Sequence, residues 1–166
     1  MGLMDQLAER VQGWQPGRIA VVAAHDEAVL ASLKPVYEQG LVLPILIGDK
    51  EKIFRIADEI GFNVDSLNII KEIDNRSSAD LAVNLVVSGE ADIIMKGNLQ
   101  TADLLKVVLE KEKGLRTGNL ISHCGLYEIP GYPRLLLVTD AGINIVPDLL
   151  QKTQIIRNAV GVMNAI

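Results

Sequence analysis

The chain has 166 residues, of which 49% are hydrophobic, and its mean hydropathy is +0.26. It is therefore long enough to bury the core of one domain and part of another. Its net charge of −5 argues against nucleic-acid binding, which needs a basic surface. The single cysteine excludes an intramolecular disulfide and a thiol framework for a metal. The longest apolar runs are too short to cross a bilayer and the start lacks a secretory signal, so we expect a cytoplasmic protein without membrane contact.

The first elements follow the pattern of an α/β protein. Residues 2–13 have helical periodicity, and residues 19–24 form an unbroken apolar run, which is typical of a strand covered on both faces. Asp26 can cap the helix that follows. We expect Pro35 to kink or end that helix, because proline has no N–H to donate.

The same alternation continues to about residue 100. The next predicted strands are 43–47, 67–70 and 92–95. The predicted helices between and after them begin at Gly48-Asp49, at a cap formed by Ser77 or Ser78, and at Ala102, with the last one reaching about Glu112. Alternating strands and helices predict βαβ units and a parallel sheet. We therefore expect a parallel three-layer α/β domain over residues 1–100.

The pattern changes after residue 100. Residues 119–127 and 134–138 read as an antiparallel strand pair, and Pro147 fits the first turn of a helix reaching about Val160. That helix is still apolar where the sequence stops. We therefore interpret residues 101–166 as the beginning of a second α/β domain that is incomplete.

The segment Ile93–Leu105 carries the clearest functional pattern. An apolar strand leads into Lys96, Gly97 and Asn98, and Thr101 is placed to cap the next helix. This arrangement predicts a cation and free backbone N–H groups at the carboxyl edge of a parallel sheet, where anions bind. The alternative is an ordinary surface turn followed by a capped helix.

Other polar residues offer weaker signals. Arg116, followed by Thr117, lies between two glycines, where it could bind phosphate or simply belong to a solvated linker. Lys96, Arg116 and Arg134 could gather into a local positive cluster in this acidic protein. Asp140 is interpreted either as a base or as a hydrogen-bond acceptor in a turn.

The two histidines and the cysteine do not suggest a metal site. His25 follows the first strand, where it lines the turn or serves as an acid or base. His123 and Cys124 lie in a strand pattern and are interpreted as packing residues. No metal-ligand spacing is present, and the dinucleotide-binding, P-loop and nucleophile-elbow motifs are also missing from the sequence.

Several motifs, in order along nearly the whole chain, resemble those of the phosphate acetyl/butyryltransferase family, most closely its phosphate butyryltransferases. The matching segments are Met95–Thr101 followed by Asp103, and Ala24–Asp26, Pro44–Asp49, Gly114–Thr117, Leu120–His123 and Thr139–Asp148. The resemblance covers the N-terminal half of such proteins, which are about twice as long. It implies two α/β domains with the active site in the cleft between them.

The resemblance also implies a reaction. Family members convert acyl-CoA and phosphate into acyl phosphate and CoA, so coenzyme A is a substrate and no cofactor is permanently bound. The serine and aspartate with catalytic roles in the family lie in the C-terminal half, and we name no catalytic base here. The implied substrate contacts are Lys96, Gly97, Asn98 and Thr101, with Arg116 and Thr117 as second choices.

Three hypotheses follow. The first is a phosphate acyltransferase acting on butyryl or a similar short acyl group, present as an N-terminal portion that is inactive alone. It implies a homo-oligomer or a complementary C-terminal half as partner. The second is a non-catalytic module that binds CoA, phosphate or a partner. The third is a metal-dependent dehydrogenase on a related two-domain scaffold, which would need a carboxylate cluster.

Overall fold

A computed structural model describes residues 2–166. In chain order the elements are α1 (Leu3–Val11), β1 (Gly17–Val22), α2 (Glu27–Glu38), β2 (Val42–Gly48), α3 (Lys50–Glu59), β3 (Asn68–Lys71), α4 (Asn75–Val87), β4 (Ile93–Lys96), α5 (Thr101–Val108), β5 (Gly125–Tyr127), β6 (Leu136–Val138) and α6 (Leu149–Ala165). The α/β fold class predicted from the sequence is therefore confirmed. No helix within residues 2–166 combines the length and apolar character needed to span a bilayer.

The chain divides into two compact units. The first unit is Gln12–Arg116, and the second unit combines the segment through Val11 with Thr117–Ile166. The sequence had suggested a boundary near residue 100, but the first unit continues to Arg116. The reason is that α5 contributes Leu104 and Val107 to the core around the sheet, so it belongs with the strands that precede it.

The first unit is built around a parallel sheet with the strand order β3-β2-β1-β4. The central strands β1 and β2 are apolar and buried, as expected for a parallel sheet covered on both faces. On one face α2 and α3 pack through Leu30, Leu33, Ile53 and Ala57. On the other face α4 and α5 pack against Ala20 and other sheet residues. These are the three layers predicted from the alternating pattern.

Aspartates cap three of the helices that pack on this sheet, α2, α3 and α4. Asp26 accepts a hydrogen bond from Val29 N, which confirms the predicted cap of α2, and Asp49 caps α3 in the same way. The cap of α4 is Asp74, so the prediction of Ser77 or Ser78 was wrong. Asp74 accepts the N–H of Ser77, and this bond lowers the pKa of Asp74.

Proline does not end α2. Pro35 lies inside the helix, which continues to Glu38. The predicted end of the helix at Pro35 was therefore wrong. A proline near the last turn removes a single helical hydrogen bond, and the helix ends within the same turn.

The second unit contains the antiparallel pair β5–β6, in which Leu126 pairs with Leu137. The antiparallel pairing was predicted, but the strands are shorter than expected because residues 119–124 are irregular. The helix α6 starts one residue after its cap Asp148, which forms a capping box with Gln151. Pro147 therefore precedes the helix, instead of lying in its first turn, and α6 extends to Ala165.

Candidate functional site

The strand order creates a topological switch point in the first unit. From β1 the chain passes through α2 to β2 on one side, whereas β4 lies on the other side of β1 and leads into α5. The helices α2 and α5 pack on opposite faces of the sheet. The two loops that leave β1 and β4 therefore diverge, and ligands of open α/β sheets bind in the crevice that such divergence leaves.

Gly97 joins the ends of β1 and β4. Its N–H donates to Val22 O at 2.8 Å, and the N–H of Asn98 donates to Ala23 O at 3.1 Å. A Cβ at Gly97 would lie 2.3 Å from Val22 O and 2.4 Å from Ala23 O. The sequence pattern predicts free N–H groups around this glycine. In the structure its closest approach is to the neighbouring strand, and both N–H groups are already paired.

Lys96 is the last residue of β4, and its ammonium turns back over the loop. Lys96 Nζ donates to Gly97 O at 3.2 Å and to Leu99 O at 2.9 Å. A lysine ammonium has three hydrogens, so one donor remains for a ligand. The positive charge is thereby held at the carboxyl edge of the sheet, close to the start of α5.

Thr101 is not the cap of α5. The cap position is occupied by Gln100, whose side chain makes no capping hydrogen bond, and Thr101 is the first residue of the helix. The predicted capping role was therefore wrong by one position. Asp103 in the first turn forms an ion pair with Lys106 at 2.7 Å. The Thr101 hydroxyl therefore lies at the start of the helix and does not cap it.

His25 links the loops that follow β1 and β2. Its Nδ1 accepts the N–H of Asp49 at 3.2 Å. Gly48 makes room for the ring, because a Cβ at Gly48 would lie 2.6 Å from His25 Nδ1. This link was not predicted from the sequence. Its one signal is Gly48 directly before Asp49, since a glycine there allows close packing. The same loop begins at Ala23, which is buried and has a positive φ of 51°.

The remaining predicted cations do not all belong to one unit. Lys96 and Arg116 lie in the first unit, and Arg134 lies in the second, just before β6. Arg116 is exposed and is the last residue of the first unit. Thr117 is exposed as well, and its hydroxyl accepts the N–H of Asn119 at 3.4 Å.

Asp140 organises a loop in the second unit. Its carboxylate accepts the N–H groups of His123 at 3.1 Å, Ile143 at 3.3 Å and Asn144 at 2.9 Å, and it also accepts the Asn144 side-chain amide. Desolvation opposes ionisation of Asp140, but these hydrogen bonds outweigh it and lower its pKa to about 2. Of the two interpretations offered by the sequence, the acceptor fits this geometry, because so weak a base removes protons poorly near neutral pH.

We expect Asp140→Asn to destabilise the chain at pH 7. The pKa of Asp140 is lowered from 3.8 to about 2 on folding, so its stabilising contribution is complete above pH 4 and disappears as pH falls through 2. Melting temperatures of the wild type and the variant should therefore differ at pH 7 and converge toward pH 2. Asp148→Asn is the matched control, because asparagine is an equally good helix cap. A difference that is independent of pH would contradict the assignment.

Residues around His123 are held by α6. Asn158 donates to Leu120 O and to Ser122 Oγ, both at 2.9 Å, and Gln154 accepts the N–H of Leu120 at 3.0 Å. Sequence reasoning missed these two amides, since isolated Asn and Gln on a helix give no spacing signal. They explain how an irregular segment keeps a defined path.

The two lone histidines and the cysteine stand in different surroundings. His123 Nδ1 is buried without a hydrogen-bond partner, and Cys124 Sγ lies 3.9 Å from Thr139 Oγ1. Within residues 2–166, no group of three His, Cys, Asp or Glu side chains is placed to hold a metal ion.

The first unit is an open parallel α/β sheet, and the ammonium of Lys96 lies at the carboxyl edge of that sheet. The chain belongs to the phosphate acetyl/butaryl transferase family, whose model matches residues 70–166. The matched region includes the Lys96 loop and the Asp140 loop. Because the chain belongs to this family, the hypothesis of a metal-dependent dehydrogenase has no support.

Individual relatives agree with this assignment. The chain is 40% identical to a phosphate butyryltransferase of Clostridium beijerinckii over 161 residues, which cover 97% of this chain and 53% of that relative. It is 35% identical to a phosphate acetyltransferase of Thermotoga maritima, covering 97% of this chain and 54% of that relative. A crystal structure of a branched-chain phosphotransacylase from Enterococcus faecalis matches with a TM-score of 0.75 and 25% identity, covering 89% of this chain and 51% of that chain. This chain thus spans about half the length of the curated relatives it matches.

Proposed function

We propose that this chain carries the anion-binding part of a phosphate acyltransferase. The reaction joins a phosphate oxygen to the acyl carbon of acyl-CoA and breaks the carbon–sulfur bond, so that acyl phosphate and the CoA thiol are formed. The observation that supports this best is the position of the Lys96 ammonium, which two backbone carbonyls hold at the switch point of the sheet. The family to which the chain belongs supports the same proposal.

The proposed contacts follow from the geometry of the β4–α5 loop. Lys96 supplies the charge, and the Asn98 side chain and the Thr101 hydroxyl supply hydrogen bonds at the start of α5. Gly97 contributes by holding the loop against β1. Arg116 and Thr117 are proposed as secondary contacts. Coenzyme A enters as a substrate, and we assign no permanently bound cofactor.

We also propose which acyl group is transferred, which partner the chain needs and where it acts. A butyryl or similar short acyl group fits the phosphate butyryltransferase relative, although relatives also include phosphate acetyltransferases. Since the chain spans about half of each relative, we propose that its partner is either a complementary C-terminal half or a second copy of this chain. We also propose that it acts in the cytoplasm. The same half-length match supports a second candidate, a module that binds CoA or phosphate without turnover.

Ligand-induced thermal stabilisation tests the binding part of this proposal. A ligand at 100 times its dissociation constant should raise the free energy of unfolding by about 2.7 kcal/mol. We expect CoA and butyryl-CoA to raise the melting temperature of the 166-residue chain, and NAD with Mg²⁺ to leave it unchanged. No shift with CoA, butyryl-CoA or inorganic phosphate would refute the proposed binding site.

Thiol release from butyryl-CoA tests the catalytic part. The chain joined to, or mixed with, the C-terminal half of a relative should release thiol only when inorganic phosphate is present. Release that does not depend on phosphate would indicate a thioesterase. Binding without release in any combination would favour the non-catalytic module.

A further inference from the structure

The β1–α2 loop contains a histidine whose orientation is set by its neighbours. His25 Nδ1 accepts the N–H of Asp49, so Nδ1 is unprotonated and the hydrogen of the neutral ring lies on Nε2. Gly48 leaves the space in which the ring lies against the β2–α3 loop. One nitrogen is therefore committed to the scaffold, and the other is a defined donor.

The donor nitrogen is open to a ligand. Among residues 2–166, His123 Nδ1 is the one buried side-chain nitrogen or oxygen without a hydrogen-bond partner. His25 Nε2 makes no hydrogen bond within the same residues, so it is not buried. The two nitrogens of an imidazole point in different directions. Since Nδ1 faces the β2–α3 loop, Nε2 faces away from it.

The donor lies on a loop that is bonded to the loop of Lys96. The β1–α2 loop lies between the loops of β2 and β4, and it is bonded to the latter through Ala23 O and the N–H of Asn98. Two aspartates flank His25, but both are helix caps. Asp26 accepts from Val29 N, and Asp49 accepts from Lys52 N at 3.1 Å and lies 3.7 Å from Lys52 Nζ.

We propose that His25 is a second binding residue of the switch-point site, donating its Nε2–H to a phosphoryl oxygen of the ligand that Lys96 attracts. This inference rests on the proposed function, because it assigns another contact in the same site. It extends the site from the β4–α5 loop to the β1–α2 loop, so that both sides of the crevice contact the phosphoryl group. A hydrogen bond to a charged group implies about a tenfold to hundredfold effect on affinity.

Two substitutions separate the functions of the two nitrogens. Asparagine places its oxygen near the position of Nδ1, so His25→Asn keeps an acceptor for Asp49 and loses the Nε2 donor. Glutamine places its amide nitrogen near Nε2, so His25→Gln keeps a donor and loses the link. Calorimetry with CoA and with inorganic phosphate should show affinity at least tenfold weaker for His25→Asn, with nearly unchanged melting temperature. His25→Gln should show the reverse balance, with a lower melting temperature and a smaller loss of affinity.

The outcomes distinguish the inference from the function on which it depends. Wild-type binding with equal affinity in His25→Asn would overturn the role of His25 and leave the proposed site intact. A wild-type chain that binds neither probe would overturn both.

Nuclear magnetic resonance of the unaltered chain provides a measurement that needs no variant. With two histidines in the sequence, the ring nitrogens of His25 can be assigned by comparison with His123. The Nε2 resonance of His25 should shift on addition of CoA, with the ring in its Nε2-protonated form. An unshifted resonance at saturating CoA, or the opposite tautomer, would refute the inference.

Discussion

Gly97→Ala is expected to destabilise the first unit by about 3 kcal/mol, at the upper end of the cost of overpacking. The added methyl group would lie 2.3 Å from Val22 O and 2.4 Å from Ala23 O. Both contacts are to backbone atoms at the end of a buried strand, so no side chain can rotate away to relieve them. The β4–α5 loop must then move away from β1 and give up the bonds from the N–H groups of Gly97 and Asn98.

Urea unfolding followed by far-ultraviolet circular dichroism measures this effect. Gly17→Ala in β1 is the matched control, since its new Cβ would meet Ile93 Cδ1 at 3.8 Å, an ordinary contact distance. We expect the control to unfold at or slightly above the wild-type midpoint. Equal midpoints for Gly97→Ala and Gly17→Ala would show that the loop tolerates a side chain and that the described junction of β1 and β4 is incorrect.

Lys96→Gln is expected to weaken CoA binding by about tenfold to a hundredfold, the range for losing a hydrogen bond to a charged group. Glutamine can still reach nearby backbone groups but carries no positive charge. In an acidic chain with a net charge of −5, little else in the β4–α5 loop offsets the repulsion of a phosphate-bearing ligand. Isothermal titration calorimetry with CoA at two salt concentrations would measure both the loss and its electrostatic origin.

The control for this substitution is Lys111→Gln, which removes the same charge from an exposed position beyond α5. It should bind CoA like the wild type. A melting curve of Lys96→Gln is needed as well, because the variant also loses the bonds to Gly97 O and Leu99 O. If Lys96→Gln is folded and its affinity matches that of Lys111→Gln, Lys96 has no part in binding.

The regular parts of the fold could be predicted from the sequence. Apolar runs such as the one within β1 are long enough to identify buried strands, and Asp26 lies directly before an amphipathic helix. Local choices between equivalent residues were less predictable. Asp74 replaced Ser77 or Ser78 as a cap, and α5 began at Thr101, because several neighbouring polar residues can each satisfy a helix start.

Few contacts of the candidate site could be predicted from the sequence. The sequence located Lys96 at the end of a strand, yet it could not show that the lysine bonds its own loop. The close approach of Gly97 to β1 could not be predicted, because strand order is not encoded in local spacing. The link between His25 and Asp49 joins loops that are distant in sequence, so it appears only once β1 and β2 are paired.

The backbone of Ala23 limits which side chains position 23 can accept. Ala23 is 1% exposed and adopts a φ of 51°. The enclosed space excludes large side chains, and the left-handed conformation strains β-branched ones. We therefore expect glycine and alanine to be the residues that position 23 accepts best, so that the turn after β1 keeps its path when the residues on either side of it change.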